Sequence, residues 1–482
     1  MPPSPARFLD LIRPQLPERA VVTDPAEIAP WLIDWRKRYR GRAAAMVEPA
    51  STAQVATVVR AAVKTRTPLV PQGGNTGMVG GATPDADGGA VILSLRRLNR
   101  VRSVDTAANL AVAEAGVVLQ MLNDAALERG RRFPLTLGAR GSATIGGLVS
   151  TNAGGTQVLR FGTMRGLVAG LEAVMADGSV HDGLAALPKD NRGYSLDQLL
   201  IGAEGTLGVV TAAALRLVPA VAARGVAWVG LSSPETALRL LRHCQERSDG
   251  VESFEILPAE SLAAVLAHVP GTRAPLTGDQ PWHVLIEATA PDLDGEHPAA
   301  SLERILGEAL AAGLADDAVI AASEAQADAF WRIRDLISEA ERALGPATQH
   351  DISVPVSAMP RFMLEAAAAC ETRFPGTHAS GFGHLGDGNV HFHVRAPAGV
   401  EAGRWYADEA PTVTRFVHDL VTAAGGSISA EHGIGQMKRE ELARLLSPAR
   451  LGAMRAVKAA LDPLGVLNPG KLVRLAPGAD PT

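Results

Sequence analysis

The sequence predicts an α+β protein with more than one domain, and three observations support this prediction. The chain has 482 residues, which exceeds the length at which a single hydrophobic core usually stops growing. Residues 43–219 alternate short apolar runs and helical stretches with glycine-rich turns, as helices packed on sheets do. After Pro219 glycine becomes sparse and longer helices alternate with strand candidates, so we place a domain boundary there.

Four segments are expected along the chain: an N-terminal helical segment (1–38), a first domain (39–219), a second domain with an antiparallel sheet covered by helices (220–424), and a C-terminal segment that completes the active site (425–482). The first domain is expected to contain strands at 44–47, 90–95, 110–113 and 170–175 and helices at 52–63 and 117–129. The later segments are expected to contain a strand at 282–288 and helices at 234–244, 299–311, 325–344 and 440–459.

Composition narrows the functional classes. Hydrophobic residues make up 47% of the chain and the net charge is −5, which fits a globular protein and disfavours nucleic-acid binding. Cys244 and Cys370 are far apart and form no CxxC motif, so we expect neither a disulfide framework nor a thiolate zinc site. The first residues lack a secretory-signal pattern and no long apolar run occurs. We therefore expect a cytoplasmic protein without a transmembrane segment.

Glycine-rich blocks at 72–81, 138–155 and 201–211 each lie beside an apolar run. Backbone N–H groups in such loops can approach a long anionic ligand closely. Tight turns would explain any one block, but the three together favour a ligand. Residues 381–386 also spell GxGxxG, the fingerprint of nicotinamide-dinucleotide folds. A strand-like run follows this motif instead of a helix, so that interpretation is disfavoured.

Histidine and carboxylate groups are concentrated in two glycine-flanked segments, 383–393 and 430–433. If a strand covers the end of the first segment, His391 and His393 share one face of it. His384 lies on the preceding loop. Neutral imidazoles with a carboxylate are the usual ligands of catalytic zinc, and manganese or iron(II) is also compatible. A hydrogen-bonded core role would explain any single histidine, but the cluster favours a metal site.

With these motifs the chain resembles flavoproteins of the vanillyl-alcohol oxidase and p-cresol methylhydroxylase type, and within them the FAD-dependent D-2-hydroxy acid dehydrogenases. The segments that carry the resemblance are 71–81, 141–155, 201–211, 383–391, 429–435 and 467–471. Residues 189–196 and the run from Gly73 to Gly81 are most similar to the D-2-hydroxyglutarate dehydrogenase branch. The resemblance implies a two-subdomain FAD-binding domain, an antiparallel-sheet cap domain that binds substrate, and a C-terminal helical segment that returns to the flavin.

The resemblance also implies which residues bind FAD. Gly73, Gly74, Asn75, Thr76 and Gly77 would hold the pyrophosphate, and Gly141, Ser142, Ile145, Gly146, Asn152 and Gly155 would line the flavin and ribityl path. Glu204, Gly205 and Val210 would lie near the adenosine half, and Asn468 would reach the flavin from the C-terminus. Some relatives attach their flavin covalently through a histidine in the first loop. This chain has Asn75 there, so non-covalent FAD is expected.

The resemblance assigns the remaining chemistry residue by residue. His384, His391 and Glu431 would bind a divalent metal, for which zinc is the expected identity, and His432 would be the catalytic base. Asp387 fits a turn role better than a ligand role. The substrate-binding residues would be Arg334, Ser338, Gln349 and His393. A guanidinium at Arg334 suits bidentate carboxylate recognition, although an exposed helix-face arginine is the simpler alternative.

Two residues differ from those of the hydroxyglutarate enzymes, and both affect which substrate is expected. Gln349 stands where they carry a lysine, and His393 stands where they carry an asparagine. Losing a cation weakens the case for a dicarboxylate, because a glutamine side chain brings hydrogen bonds but no charge. The expected activity is oxidation of D-2-hydroxyglutarate or a related D-2-hydroxy acid to the 2-oxo acid.

Several alternatives stay open at this point. A D-lactate dehydrogenase, or a flavin oxidase that acts on another hydroxy acid with oxygen, fits the same motifs. A zinc hydrolase would leave the glycine-rich half without a role. Electron-transfer flavoprotein, quinone or oxygen could accept the electrons, and a homodimer is a compatible assembly.

Overall fold

The structure is a computed structural model, and it describes residues 4–475. Residues 1–3 and 476–482, which belong to the predicted N-terminal and C-terminal segments, lie outside the described residues. The helices are α1 (Pro5–Ile12), α2 (Pro25–Ile28), α3 (Thr52–Thr65), α4 (Leu119–Leu127), α5 (Ile145–Ser150), α6 (Val158–Phe161), α7 (Met164–Leu167), α8 (Leu196–Leu200), α9 (Pro234–Gln245), α10 (Ala259–His268), α11 (Pro298–Ala311), α12 (Glu324–Asp335), α13 (Ile337–Ala343), α14 (Met359–Arg373), α15 (Ala402–Arg404), α16 (Ala410–Ala423), α17 (Arg439–Leu445) and α18 (Pro448–Leu461).

The strands form four sheets. They are β1 (Val21–Val22), β2 (Ala45–Val47), β3 (Leu69–Gln72), β4 (Val91–Ser94), β5 (Val101–Asp105), β6 (Leu110–Glu114), β7 (Arg131–Arg132), β8 (Val168–Met175), β9 (Val180–Asp182), β10 (Gly208–Arg216), β11 (Val218–Pro219), β12 (Ala223–Leu231), β13 (Val251–Pro258), β14 (Trp282–Ala290), β15 (Asp317–Ile320), β16 (Ala347–Ser353), β17 (His378–His384) and β18 (Asn389–Arg395).

The described chain divides into two compact units that are discontinuous in sequence. The first unit contains residues 4–154, 162–219 and 431–475, and the second contains residues 155–161 and 220–430. Gly155, the last residue of the glycine-rich block 138–155, therefore belongs to the second unit. The expected division into four segments stays a prediction.

The first unit contains two larger sheets. The four-stranded sheet has the order β1-β2-β4-β3, with β2 and β3 both parallel to β4. This arrangement needs a crossover between β2 and β3, which α3 provides. The Ser51 side chain caps α3 by accepting a hydrogen bond from Gln54 N. The other sheet is antiparallel, with the order β5-β6-β10-β8-β9.

The second unit is a seven-stranded antiparallel sheet with the order β15-β12-β14-β13-β17-β18-β16. Side chains alternate between its faces. One face packs with α9, α11, α14 and α16, and the other packs with α10, α12 and α13. The predicted antiparallel sheet covered by helices is confirmed.

Two predicted helices are each interrupted. The helix expected at 325–344 is α12 followed by α13, because Leu336 leaves the helical conformation with φ −91° and ψ 1°. The helix expected at 440–459 is α17 followed by α18. Ser447 accepts a hydrogen bond from Arg450 N, and Pro448 occupies the first helical position, so this dipeptide starts a new helix.

Candidate active site

A cavity of about 640 Å³ lies within the first unit, between the glycine-rich loops. Ten of the predicted cofactor residues line it: Gly73, Gly74, Asn75, Thr76, Gly77, Gly141, Ser142, Gly146, Glu204 and Gly205. Glu431 and His432 line the same cavity. The predicted base and the predicted FAD loops thus share one space.

Five other predicted cofactor residues are not among the described residues that line this cavity. Ile145 and Val210 are buried in the core, and Gly155 belongs to the second unit. The Asn152 side chain accepts a hydrogen bond from Arg165 N, and Asn468 holds loops together as described below. A role for these five in FAD binding stays a prediction.

Glycine is required where the first two loops approach each other. A Cβ atom on Gly73 would lie 2.1 Å from Thr144 Oγ1, and one on Gly74 would lie 1.9 Å from the Ser142 carbonyl oxygen. Any side chain would push the loops apart. Asn75 adopts φ +53°, and its Nδ2 donates to the Ile33 carbonyl at 2.9 Å. Its side-chain amide therefore ties the loop to the backbone at Ile33.

The chemistry of the lining fits a polar, anionic cofactor such as FAD. Thr144 Oγ1 and Gln72 Oε1 are buried and have no hydrogen-bond partner among the residues that the structure describes. Both side chains belong to the cavity lining. Buried polar atoms normally have partners, so a bound ligand with donor and acceptor groups would satisfy them.

Trp35 is a lining residue that the sequence did not suggest. Its side chain is 62% exposed although it borders the cavity. The surrounding turn is fixed because Asp34 accepts hydrogen bonds from Arg36 N at 3.2 Å and Tyr39 N at 2.7 Å.

The turn that carries His432 is hydrogen-bonded to Glu204, which lines the same cavity. Gly433 and Gly435 have φ of +79° and +53°, which favours glycine. The carboxylate of Glu204 accepts hydrogen bonds from the backbone of this turn. That Glu204 lies near the adenosine half of FAD stays a prediction, but its side chain is hydrogen-bonded to the turn after His432.

The C-terminal segment returns to the glycine-rich loops through Asn468. Asn468 Nδ2 donates to the Gly81 carbonyl at 2.9 Å and to the Glu204 carbonyl at 2.8 Å. The preceding Leu467 carbonyl accepts a hydrogen bond from buried Lys458 Nζ at 2.9 Å. Burial lowers the pKa of Lys458, while Asp462 raises it. Asn468 therefore joins the first and third glycine-rich loops.

In the second unit, two predicted metal ligands lie next to each other. The rings of His384 and His391 are 5.5 Å apart between centroids. Glu255 from β13 lies 2.7 Å from His384 Nδ1 through Oε1, and its Oε2 accepts a hydrogen bond from Arg334 Nε at 2.7 Å. Burial raises the pKa of Glu255, but Arg334 and His384 lower it further, so it lies below its ordinary value.

This contact decides the tautomer of His384. A carboxylate can only accept, so Nδ1 carries the proton and Nε2 presents a lone pair. Arg334 Nη2 lies 3.3 Å from Nε2 and 3.4 Å from Nδ1, so the guanidinium lies beside both ring nitrogens. A carboxylate on the far nitrogen of a histidine is the usual support of a metal ligand. The sequence did not suggest Glu255, because it lies 129 positions before His384.

Three other predicted substrate-binding residues lie in this unit, two of them on the sheet and one on a helix. Gln349 lies opposite His393 across β16 and β18. His393 Nδ1 pairs with Glu341, whose other oxygen accepts a hydrogen bond from Ser261 at 2.9 Å. Ser338 is exposed at the start of α13.

Asp387 lies in the turn between β17 and β18. Its carboxylate accepts a hydrogen bond from Asn389 N at 2.9 Å. Burial raises the pKa of Asp387. This hydrogen bond gives Asp387 the turn role that the sequence predicted.

Two family models and several relatives match the chain. A model described as FAD binding domain matches residues 43–183, and one described as FAD linked oxidases, C-terminal domain, matches residues 221–472. The mitochondrial D-2-hydroxyglutarate dehydrogenase of Bos taurus is 38% identical over 456 residues, which cover 94% of this chain and 81% of the relative. The chain belongs to the D-2-hydroxyglutarate dehydrogenase family. It is an FAD-dependent oxidoreductase, as the sequence predicted.

Further family members extend this finding. The D-2-hydroxyglutarate dehydrogenase of Xanthomonas citri pv. viticola is 36% identical, with 95% of each chain covered. A putative mitochondrial D-lactate dehydrogenase of Schizosaccharomyces pombe is 32% identical over 94% of this chain and 86% of that protein. The structure of p-cresol methylhydroxylase matches with a TM-score of 0.75 at 16% identity, over 97% of this chain and 96% of that one. The predicted fold is confirmed.

The predicted cytoplasmic location is wrong. Relatives from Bos taurus, Arabidopsis thaliana and Rattus norvegicus are named mitochondrial, and these names point away from the cytoplasm. Net charge and hydropathy describe a surface and carry no cellular address, so they could not support that prediction. Among residues 4–475, no helix combines the length and the apolar character needed to cross a bilayer.

Proposed function

We propose that the protein oxidises a D-2-hydroxy acid to the 2-oxo acid with FAD and a divalent metal, and that D-2-hydroxyglutarate is the first substrate to test. The names of the relatives support the substrate class. The observation that carries the metal requirement is the contact between His384 and Glu255 at 2.7 Å, because it prepares Nε2 to act as a ligand.

The metal would be held by His384, His391 and Glu431, and zinc is the proposed ion. Glu431 directly follows Ala430, whose N–H donates to the Asp351 carbonyl at 3.3 Å. Asp351 lies opposite His391 in the sheet register. Chain continuity therefore supports Glu431 as the third ligand, since consecutive Cα atoms are about 3.8 Å apart. When bound, a divalent cation lowers the pKa of the substrate hydroxyl and neutralises developing negative charge.

His432 would accept the proton of the 2-hydroxyl group. FAD, held by the glycine-rich loops that line the cavity, would supply the two-electron oxidant that takes the C2 hydrogen as hydride. Arg334 would fix the substrate carboxylate through its guanidinium. Its bond from Nε to Glu255 orients the guanidinium plane.

D-lactate or another monocarboxylic D-2-hydroxy acid is the second candidate. Gln349 and His393 are neighbours in the register of β16 and β18, and His393 is already paired with Glu341. Such a pair brings no net positive charge for a second carboxylate. Electron-transfer flavoprotein, quinone or oxygen would reoxidise the flavin. With oxygen as the acceptor the enzyme would be an oxidase. A homodimer is a compatible assembly.

Anaerobic bleaching of the flavin tests the proposed function. The FAD-loaded and metal-loaded protein would be mixed with D and L forms of 2-hydroxyglutarate and lactate, with and without a chelator. Bleaching by a D acid, and its loss with chelator, are the expected results. Absence of bleaching by every D-2-hydroxy acid would overturn the proposal.

A further inference from the structure

Both oxygens of the Glu204 carboxylate bind the turn that follows His432. Oε1 accepts a hydrogen bond from Ile434 N at 2.7 Å, and Oε2 accepts one from Gly435 N at 2.7 Å. Hydrogen bonds to an ionised acceptor are roughly twice as strong as neutral ones. Glu204 thus fixes the backbone two and three residues after the proposed base.

Glu204 is itself held firmly in the wall of the cavity. Its backbone has φ +52°, its N–H donates to the Ser150 carbonyl at 2.8 Å, and its carbonyl accepts from Asn468 Nδ2 at 2.8 Å. These contacts come from two different segments of the first unit. The Glu204 carboxylate therefore holds the turn that follows His432 at a fixed position relative to the cavity wall.

Burying this carboxylate is costly. Glu204 is only 8% exposed, and burial raises its pKa, which the two backbone N–H groups oppose. A buried charge is tolerated where specific hydrogen bonds compensate it. An apolar side chain at this position would pack without that cost, so the carboxylate is explained by what it binds.

We propose that Glu204 is a positioning residue that sets the His432 turn so that the imidazole projects into the cavity that both residues line. The proposal rests on the proposed role of His432 as the base. Small displacements of a reacting group are expensive, because a shift of about 1 Å can cost about 10²-fold in rate. Loss of this support therefore affects the chemical step more than ligand binding.

Glu204→Gln tests the proposal with the FAD-loaded and metal-loaded enzyme. The amide keeps the shape but offers one acceptor, and its NH₂ group faces a backbone N–H donor. We expect the rate constant of anaerobic flavin reduction by a D-2-hydroxy acid to fall about 10- to 100-fold. The substrate concentration at half-maximal rate should change less than about twofold, since uniform binding of the substrate is untouched.

A double-mutant cycle with His432→Ala separates positioning from general damage. An effect transmitted through the imidazole disappears once the imidazole is gone. Glu204→Gln should therefore slow flavin reduction in the wild-type background and change it less than about twofold in the His432→Ala background. Equal slowing in both backgrounds, or a wild-type rate in Glu204→Gln, would overturn the proposal.

Two further variants serve as controls for the Glu204→Gln measurement. Glu172→Gln removes a half-buried carboxylate of the same unit that pairs with Arg102 and accepts hydrogen bonds from Thr52 and Thr211 outside the cavity, and it should reduce flavin at the wild-type rate. Glu204→Asp retains the charge with a shorter reach and should recover part of the rate, which also covers the case in which Glu204→Gln does not fold. A wild-type enzyme that no D-2-hydroxy acid bleaches would instead overturn the proposed function.

Discussion

His384 Nδ1 lies 2.7 Å from Oε1 of Glu255, a buried carboxylate on the neighbouring strand β13. This contact fixes the imidazole tautomer and ring plane, and the same carboxylate accepts from Arg334. One buried glutamate thus orients a proposed metal ligand and a proposed substrate-binding residue. Disturbing it should affect both functions together.

Glu255→Gln should weaken metal binding by about 10- to 100-fold, because second-sphere partners of ligating histidines contribute on that scale. Metal content after dialysis against buffers of defined free zinc would measure the change. Glu260→Gln is the matched control, since Glu260 binds the exposed His378 at 2.6 Å. An unchanged zinc affinity in Glu255→Gln would contradict the assignment.

Local patterns in the sequence were sufficient to predict some of the site. Strand alternation predicted that His391 and His393 share a face, and the register agrees. Glycine spacing predicted the loops that line the cavity. Glu255 and Trp35 could not be found this way, because their roles depend on contacts that only the folded topology creates. No proline or glycine lies near Leu336, so the sequence could not predict that the helix is interrupted there.

Removing the metal should stop turnover while FAD stays bound. A chelator should lower the rate of flavin reduction by at least about 10²-fold, the scale of a lost charge-stabilising group, and added zinc should restore it. The visible flavin spectrum should persist, since Glu431 is the one proposed metal ligand among the described lining residues and the glycine-rich loops supply most of that lining.

Variants of the histidines check the source of this dependence. His391→Ala should copurify with FAD and without metal. His378→Ala removes a half-exposed imidazole that pairs with Glu260, so it should retain both. Full activity after metal removal would contradict a metal-dependent mechanism.

Trp35→Ala should weaken FAD binding, because an exposed indole at the rim of the cavity offers an aromatic surface to the cofactor. Aromatic pairs contribute about 0.5–1.5 kcal/mol beyond the area they bury, so the Kd for FAD should rise roughly three- to tenfold. Flavin fluorescence during titration measures this change. Tyr194→Ala is the control, since Tyr194 is 97% exposed and outside the described lining. Equal affinities in both variants would remove Trp35 from the site.

Glu114 gives the first unit a pH-dependent contribution to stability. Burial raises its pKa, but hydrogen bonds from Arg100 and Arg102 lower it to a net value below 4.5. A depressed carboxylate pKa stabilises the fold above the unfolded value, and this stabilisation is lost as pH falls through the folded pKa. Glu114→Gln should therefore lower the Tm at pH 7 by about 2–6 °C. The difference should shrink at pH values well below 4.5, and a constant difference across that range would contradict the assignment.

Gln349→Lys should shift substrate preference toward dicarboxylates. Gln349 is half-buried opposite His393, whose partner Glu341 balances any charge on the imidazole, so a lysine would add a net cation on this face. A charge-assisted contact contributes about 1.5–3 kcal/mol, and we expect roughly a tenfold lower KM for D-2-hydroxyglutarate with little change in kcat. D-lactate kinetics should stay constant. Gln349→Met, which changes length little and adds no charge, separates charge from shape. If both variants changed the two substrates alike, Gln349 would not determine which acid the enzyme prefers.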